Sequence, residues 1–212
     1  MNTSIALKTL LGAGALTLPL LVFAESNVQT GAATATPGAT AHLDFSIVIP
    51  KVLYLRVGTG SSYTTGALTS VNTTDLITFS PAAGTVGNGT AVAGTGGDLT
   101  GGVETAAIVS NSGNVTLNAT ATGALGNGNG DSIPFTQITT ATSALTSGTQ
   151  LPAPTLTNGT SSNVVLTAPA TKLIVQDAKW TYSYANAANV PAGTYGGVNV
   201  NNSRVTYTAT MP

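Results

Sequence analysis

The chain has 212 residues, of which 42% are hydrophobic and 6% are charged, and its formal net charge is −1. This composition excludes disorder of the whole chain, which needs low hydrophobicity and usually a high net charge, and it offers no basic surface for nucleic acid. With no cysteine and one histidine, the chain lacks a thiol nucleophile and a multi-histidine metal site, so we expect neither an enzyme nor a cofactor.

The first 24 residues have the pattern of a cleavable export signal. Lys8 precedes an apolar run from Leu10 to Phe23, and the run ends in the small-x-small sequence Val22-Phe23-Ala24. A membrane span needs roughly 20 apolar residues, so the run is short for an anchor, although an uncleaved helical anchor is the alternative. We therefore predict cleavage before Glu25, export through the periplasm to the cell surface, and no stable insertion in a membrane.

Two segments with different patterns follow the predicted signal. Residues 25–41 are small and polar, apart from Val28, and predict a flexible N-terminal extension. In residues 42–49 large apolar side chains occupy every second position, which is the period of a β-strand. These apolar positions are Leu43, Phe45, Ile47 and Ile49, and they alternate with His42, Asp44, Ser46 and Val48. Pro50 has no N–H to donate to a neighbouring strand, so it marks an edge or a bend before a second strand at residues 51–57.

Further short strand candidates follow, separated by turns that are rich in glycine, asparagine and proline. They are residues 75–80, 103–110, 115–122, 164–166, 173–175, 180–184, 194–200 and 204–211. The turn at residues 111–114 predicts a β-hairpin between the second and third of these candidates. Residues 123–170 are read as a loop-rich insertion that could form an additional exposed lobe.

The number and spacing of these candidates predict the fold class. No segment has a sustained helical period, and many short strands separated by turns are typical of all-β domains. We therefore predict an all-β fold, a two-sheet antiparallel β-sandwich that forms a single domain over residues 42–212. A closed barrel is the alternative.

His42, Asp44 and Ser46 have the residue types of a catalytic triad. They occupy every second position of a predicted strand, so neighbouring side chains lie ~6.6 Å apart at about 3.3 Å per residue. A working triad needs hydrogen-bond contact at roughly 3 Å. We therefore interpret the three residues as the solvated polar face of a strand, with no catalytic site.

Two other patterns are compatible with ligand binding. Gly126–Asp131 is similar to glycine- and aspartate-rich calcium loops, but it occurs once and has one carboxylate, so we predict a flexible loop and no metal site. Trp180, Tyr182 and Tyr184 lie on one face of a predicted strand. Such a row could stack on a carbohydrate, although aromatic rows on a strand face more often belong to the core.

The two ends of the predicted domain carry strands whose partners the pattern does not define. Residues 204–211 alternate up to the end of the sequence, so we expect no later strand beside them. Residues 42–49 follow a flexible arm. Uncovered edges promote pairing with another chain, so this arrangement favours strand addition between subunits. The alternative is a closed monomer in which both strands pair within their own sandwich, and the pattern leaves both possibilities open.

The end of the sequence combines a turn with an alternating strand. The turn is Pro191-Ala-Gly-Thr-Tyr195, and the strand is Arg204-Val-Thr-Tyr-Thr-Ala-Thr-Met-Pro212. Together with the export signal, the short extension and the Thr/Ala/Gly-rich strands, these residues make the chain look like a chaperone–usher pilus subunit or a close fimbrial-type relative. The resemblance is specific over about 20 residues.

This resemblance implies an immunoglobulin-like sandwich that lacks its last strand. A periplasmic chaperone would fill the gap, and the N-terminal strand of a neighbouring subunit would replace it at an outer-membrane usher. The acceptor and chaperone edge would consist of Val205, Tyr207, Ala209 and Met211. The donor strand would be residues 41–49, with Leu43, Phe45, Ile47 and Ile49 in the groove, or else residues 25–41.

The chain departs from this family in two ways, because many such subunits have a disulfide and a shorter middle region. Both departures leave open a surface protein of similar fold that does not polymerise. We expect a structural subunit of a surface pilus that joins copies of itself or other pilus subunits and supports adhesion or biofilm formation. The alternative is a secreted monomeric module that binds polysaccharide through the face of Trp180, Tyr182 and Tyr184 or through the glycine-rich loops.

Overall fold

The computed structural model describes residues 26–33, 38–59, 68, 70–146 and 148–212. The predicted export signal, residues 1–24, and the cleavage site before Glu25 lie outside these residues. The chain divides into two units, Met1–Ile49 and Pro50–Pro212. In the first unit, the described residues 26–33 and 38–49 form neither helix nor strand, and they are exposed.

The second unit consists of strands and short 3₁₀ turns. Its described residues contain twelve strands and two 3₁₀ turns, Ala83–Thr85 and Phe135–Gln137. The strands are β1 (Leu53–Val57), β2 (Ile77–Thr78), β3 (Val92–Ala93), β4 (Thr95–Gly96), β5 (Val103–Ser110), β6 (Val115–Ala121), β7 (Leu125–Gly126), β8 (Ser132–Ile133), β9 (Ile138–Ser143), β10 (Val164–Leu166), β11 (Ile174–Tyr184) and β12 (Val205–Thr210). Over the part of the chain that is described, no helix is long and apolar enough to span a bilayer.

Two antiparallel sheets form the body of this unit. In the first sheet, β5 lies between β1 and β11, and the second half of β11 also pairs with β9 and β3. In the second sheet, β6 lies between β10 and β12. Two small ribbons, β2 with β4 and β7 with β8, complete the pairing among the described strands. The predicted all-β, antiparallel sandwich is therefore confirmed.

The core lies between the facing sides of these two sheets. On β6, Val115 and Leu117 are fully buried, and from the first sheet Ile108 and Trp180 face the same layer with no exposed surface. The Trp180 ring also packs on Tyr207 of β12, with ring centroids 5.3 Å apart. The outward positions of β12 are threonines and are exposed, so the alternation predicted for residues 204–211 is present in the structure.

Several predicted elements differ from the observed ones. The strands predicted at 103–110 and 115–122 exist, but β5 and β6 belong to different sheets, so the predicted hairpin between them is wrong. The predicted strands at 173–175 and 180–184 are one continuous strand, β11. Residues 194–200 contain no strand, because left-handed backbone at Gly196, Gly197 and Asn199 is incompatible with an extended chain.

The boundaries of the sandwich also differ from the prediction. The compact unit begins at Pro50, and residues 42–49 pair with no strand among the described residues. The middle region is not an exposed lobe, because β9 pairs with β11 and β10 pairs with β6. Phe135, Leu151 and Leu156 from this region are buried in the core. Loops of the middle region therefore supply part of the apolar layer.

Two matched leucines test this description of the core. Leu117 has no exposed surface, whereas Leu173 is 53% exposed. Leu117→Ala should lower the free energy of unfolding by about 2–5 kcal/mol, because it removes buried methyl groups and leaves a cavity. Leu173→Ala should change it by less than about 0.5 kcal/mol. Urea unfolding of both variants measures the difference, and equal effects would contradict the proposed core.

Candidate functional site: an apolar cleft between two sheet edges

An open cleft of about 880 Å³ lies between the sheets. Leu55 and Val57 of β1 line one side of it, and Val205 and Tyr207 of β12 line the other. β1 and β12 are the edge strands of the two sheets, and each pairs with one strand only among the described residues. The cleft is thus bordered by two β-edges whose outer hydrogen-bonding groups face no further described strand, which is the geometry that accepts an added strand.

The cleft is closed at one end and open at the other. At the closed end Lys51 Nζ donates a hydrogen bond to the Pro212 carbonyl at 2.8 Å, and Ser110 Oγ contacts Met211 Sδ at 3.6 Å. Away from this end, Leu55 and Val205 belong to the lining of the cleft. The lining of the cleft therefore includes Val57 and Val205 but does not reach Met211. Segments 73–81 and 190–199 border the open part.

A group of carboxylates lies at the open part of the cleft. Glu104 of β5 is 5% exposed, and Glu104 and Asp75 both line the cleft. The Asp75 carboxylate accepts hydrogen bonds from the backbone N–H and the hydroxyl of Thr59. Gly58 permits this arrangement, because its φ is +83° and a Cβ there would contact both carboxylates.

Burial raises the pKa of Glu104 to about 7. The Asp98 N–H donates to Glu104 Oε2 at 3.3 Å and favours the ionised form, but the negative charges of Asp75 and Asp98 oppose ionisation. Glu104 is therefore neutral below about pH 7 and anionic above it, in a cleft that is otherwise mainly apolar.

Two tyrosine hydroxyls form a second polar group in the cleft. Tyr182 Oη of β11 and Tyr207 Oη of β12 are 2.8 Å apart and link the two sheets by a hydrogen bond. Burial raises the pKa of Tyr207 to about 12 and raises that of Tyr182 well above its usual value. Both phenols therefore keep their protons at physiological pH and act as neutral hydrogen-bonding groups.

Two of the four predicted acceptor residues line this cleft. Val205, Tyr207, Ala209 and Met211 are half-buried on the inner side of β12, and the first two line the cleft. The predicted donor residues lie in the other unit, in the exposed segment 42–49. Leu43, Phe45, Ile47 and Ile49 are each between 68% and 85% exposed.

The predicted carbohydrate face is not available at the surface. Trp180 has no exposed surface, and its indole N–H donates to the Leu151 carbonyl at 2.8 Å. Tyr182 and Tyr184 are 6% and 7% exposed. A stacking platform needs open aromatic faces, so the interpretation of this row as a glycan site is wrong and the core interpretation is confirmed.

The remaining sequence patterns show no chemical site. His42, Asp44 and Ser46 lie in the exposed segment 42–49, outside any described strand. The loop Gly126–Asp131 closes on itself, since Asn127 Nδ2 donates to Asp131 Oδ2 at 2.8 Å. Within the described residues, no three histidine, aspartate or glutamate side chains are grouped so as to hold a metal ion.

Sequence reasoning did not find the carboxylates of the cleft. Glu104 is a lone acidic residue in a strand of small and apolar residues, VETAAIVS, and this is a signal for a buried carboxylate. Its neighbours Asp75 and Asp98 lie in two loops, and only the folded chain brings them to β5. Their position beside the cleft could therefore not be predicted from spacing.

The chain was compared with protein-family models, with curated proteins and with solved structures. None of the three comparisons found a match. The function is therefore argued from the cleft, from the exposed segment 42–49 and from the chemistry of the lining residues.

The raised pKa of Glu104 predicts how stability changes with pH. A carboxyl group whose pKa rises from 4.5 to about 7 on folding binds its proton more tightly in the folded state. Its contribution is fully present below pH 4.5 and is lost between pH 4.5 and 7, a loss of up to about 3 kcal/mol. Glu104→Gln should remove this loss, because the amide stays neutral.

Urea unfolding at pH 5 and pH 8 measures the effect. The free energy of unfolding of Glu104→Gln minus that of the wild type should be larger at pH 8 than at pH 5. Asp44→Asn removes an exposed carboxylate and serves as the control, which should follow the wild type. A constant difference between Glu104→Gln and the wild type at both pH values would show that Glu104 ionises normally.

Proposed function

We propose that the protein is a structural subunit of a bacterial surface pilus or fimbria. Residues 41–49 of one copy would complete the sandwich of the next copy, and the resulting filament would support adhesion or biofilm formation. One observation carries this proposal: the same chain has an exposed apolar segment with strand period and an apolar cleft bordered by two sheet edges. The segment has exposed apolar side chains, and the cleft has an apolar lining that an added strand would cover.

The donor segment supports the proposal by its exposed surface. Phe45 and Ile47 are 84% and 85% exposed, although large apolar side chains of this kind are usually buried. Contiguous exposed apolar residues mark interaction sites in soluble proteins. Because the four apolar residues alternate with His42, Asp44, Ser46 and Val48, one strand face would enter the cleft, and the other, which is polar except for Val48, would remain in water.

The acceptor edge matches the donor in length and period. Leu43–Ile49 and Val205–Met211 each contain seven residues, and each segment spans ~20 Å as an extended strand. Each has four apolar side chains at alternate positions, although Val48 is a further apolar residue of the donor segment, and Val205 and Tyr207 are the acceptor residues that line the cleft. A strand in the cleft would pair with the outer edge of β12 through main-chain hydrogen bonds, while side chains at alternate positions fill the apolar space.

The same edge suggests the partners of assembly. Before a neighbouring subunit arrives, the half-buried Val205 and Tyr207 would leave part of their apolar surface open to water in the cleft, on a strand edge that can pair with another chain. In the pilus family that the sequence resembles, a periplasmic chaperone covers the corresponding edge. At an outer-membrane usher, the donor strand of a neighbouring subunit then replaces the chaperone. We include both partners in the proposal, together with export of the chain to the cell surface.

A donor strand from the same chain would give a closed monomer instead of a filament. Both arrangements use the same segment and the same cleft. They make the same contacts and differ only in whether the segment and the cleft belong to one copy of the chain or to two. The effect of donor substitutions on molecular mass separates them, because a closed monomer keeps its mass whatever the donor sequence. A monomeric polysaccharide-binding module remains the alternative outcome of this experiment.

Adjacent positions of the donor segment provide a matched test. In the chain from Glu25, Ile47→Asp places a charge on the face that would enter the cleft, and Ser46→Asp places it on the opposite face. The wild type and Ser46→Asp should form multimers that resist SDS, whereas Ile47→Asp should remain monomeric, because burial of an unpaired carboxylate is unfavourable. Size-exclusion chromatography with light scattering gives the masses.

A synthetic peptide of residues 41–49 completes this test. It should bind the Ile47→Asp chain and raise its Tm, because the cleft of this variant is intact and its own donor is disabled. Stable monomers for all three chains, with no effect of the peptide, would contradict the pilus proposal and favour the monomeric binding module.

A further inference from the structure

We propose that Glu104 must be neutral for a donor strand to enter the cleft, so that strand uptake is coupled to the uptake of one proton. This inference rests on the proposed function, because it concerns the same cleft and the same donor segment. It adds a property that the strand-exchange model does not contain: the affinity between subunits depends on pH through one residue of the acceptor.

The position of Glu104 in the fold is the first argument. Alternation along β5 places Glu104 on the same side as Ala106 and Ile108, which are fully buried in the core. Glu104 itself is 5% exposed and lines the cleft. Its carboxyl group therefore borders the space that the apolar side chains of a donor would fill.

The groups that face Glu104 are the second argument, because none of them neutralises it. Asp75 and Asp98 face it from loops on two sides, and both raise its pKa by their charge. Tyr182 and Tyr207 face it from β11 and β12, and their phenols remain neutral over the physiological range. Arg204 also lines the cleft, but it is exposed and is not among the charges that shift the pKa of Glu104.

Donor insertion would change the surroundings of this carboxyl group. The cleft is open to water in the subunit alone, and apolar side chains of the donor would replace that water. Removing water from a carboxylate with no cation beside it favours the protonated form. The pKa of Glu104, about 7 before insertion, would therefore be higher in the joined subunits.

The direction of the pH effect follows from linkage. Because the joined state binds the proton more tightly, donor affinity is constant below about pH 7 and decreases above it. For one proton the decrease approaches about tenfold per pH unit, up to the pKa of the joined state. Acidic surroundings would therefore favour joined subunits, and alkaline surroundings would favour exchange.

A peptide-binding titration tests this coupling. The acceptor is the full chain with Ile47→Asp, and the ligand is a fluorescent peptide of residues 39–50 with His42→Asn, because an imidazole also changes its charge near neutral pH. Fluorescence anisotropy gives Kd between pH 6 and pH 9. We expect Kd to be constant below pH 7 and to rise by about tenfold or more between pH 7 and pH 9.

Two acceptor variants serve as controls. Added to the same acceptor, Glu104→Gln should bind the peptide equally well at all these pH values, because its side chain cannot ionise. Arg204→Gln removes the exposed cation of the cleft lining and should keep the pH dependence of the parent. Calorimetry in buffers of different ionisation enthalpy should show net proton uptake on peptide binding at pH 8 for the parent and none for Glu104→Gln.

The outcomes separate the two proposals. If the parent and Glu104→Gln bind the peptide with the same pH profile, the role of Glu104 is wrong while the strand-exchange model stands. If no acceptor binds the peptide at any pH, the proposed function itself is wrong. A pH dependence that Arg204→Gln abolishes would also overturn the inference, because the responsible charge would then be the guanidinium.

Discussion

The side-chain layer between β5, β6 and β11 holds the two sheets together, and the other features of the structure depend on it. Trp180 is the largest fully buried side chain of this layer, and its ring packs on Tyr207 while its N–H donates to the Leu151 carbonyl. Apolar residues of β1 and β12 pack against this layer, and four of them, Leu55, Val57, Val205 and Tyr207, also line the cleft. The cleft is therefore the place where the core reaches the surface, and its apolar character has the same origin as the stability of the fold.

A mainly apolar cleft with a few buried polar groups can discriminate among its ligands. The Tyr182 and Tyr207 hydroxyls bond to each other and stay neutral, so they present no charge to an apolar donor. Glu104 is different, because it shares its surroundings with two other carboxylates. The tyrosine pair would make the cleft tolerant of apolar side chains, and Glu104 would make the occupancy of the cleft sensitive to pH.

Much of the fold could be predicted from the sequence, because alternation reports directly which residues face a core. The inward residues Val115, Leu117, Ala119 and Ala121 are all buried, as the pattern of β6 indicated. Pairing could not be predicted in the same way. Two alternating strands joined by a short turn can pair in one sheet as a hairpin, or they can belong to two facing sheets. The turn at residues 111–114 is compatible with both arrangements.

The candidate site was predictable in part for a similar physical reason. The proposed acceptor edge and the proposed donor segment are each local patterns of seven residues, and both patterns could be read from the sequence. Glu104 and Asp75 are 29 positions apart in the sequence, and their proximity depends on Gly58 and on the path of two loops. The strand pattern was compatible with either a core or a surface position for Trp180, and the burial of its side chain in the structure shows that it belongs to the core.

The attachment of residues 50–52 has a mechanical consequence for a filament built in this way. Asn111 holds the segment at both ends, through its Nδ2 on the Pro50 carbonyl and its Oδ1 on the Val52 N–H. The chain then continues directly into β1, which is in register with β5 from Leu53 to Val57. Tension applied through the N-terminal extension would pull β1 along its own axis, so its hydrogen bonds would be loaded in shear and would have to break together.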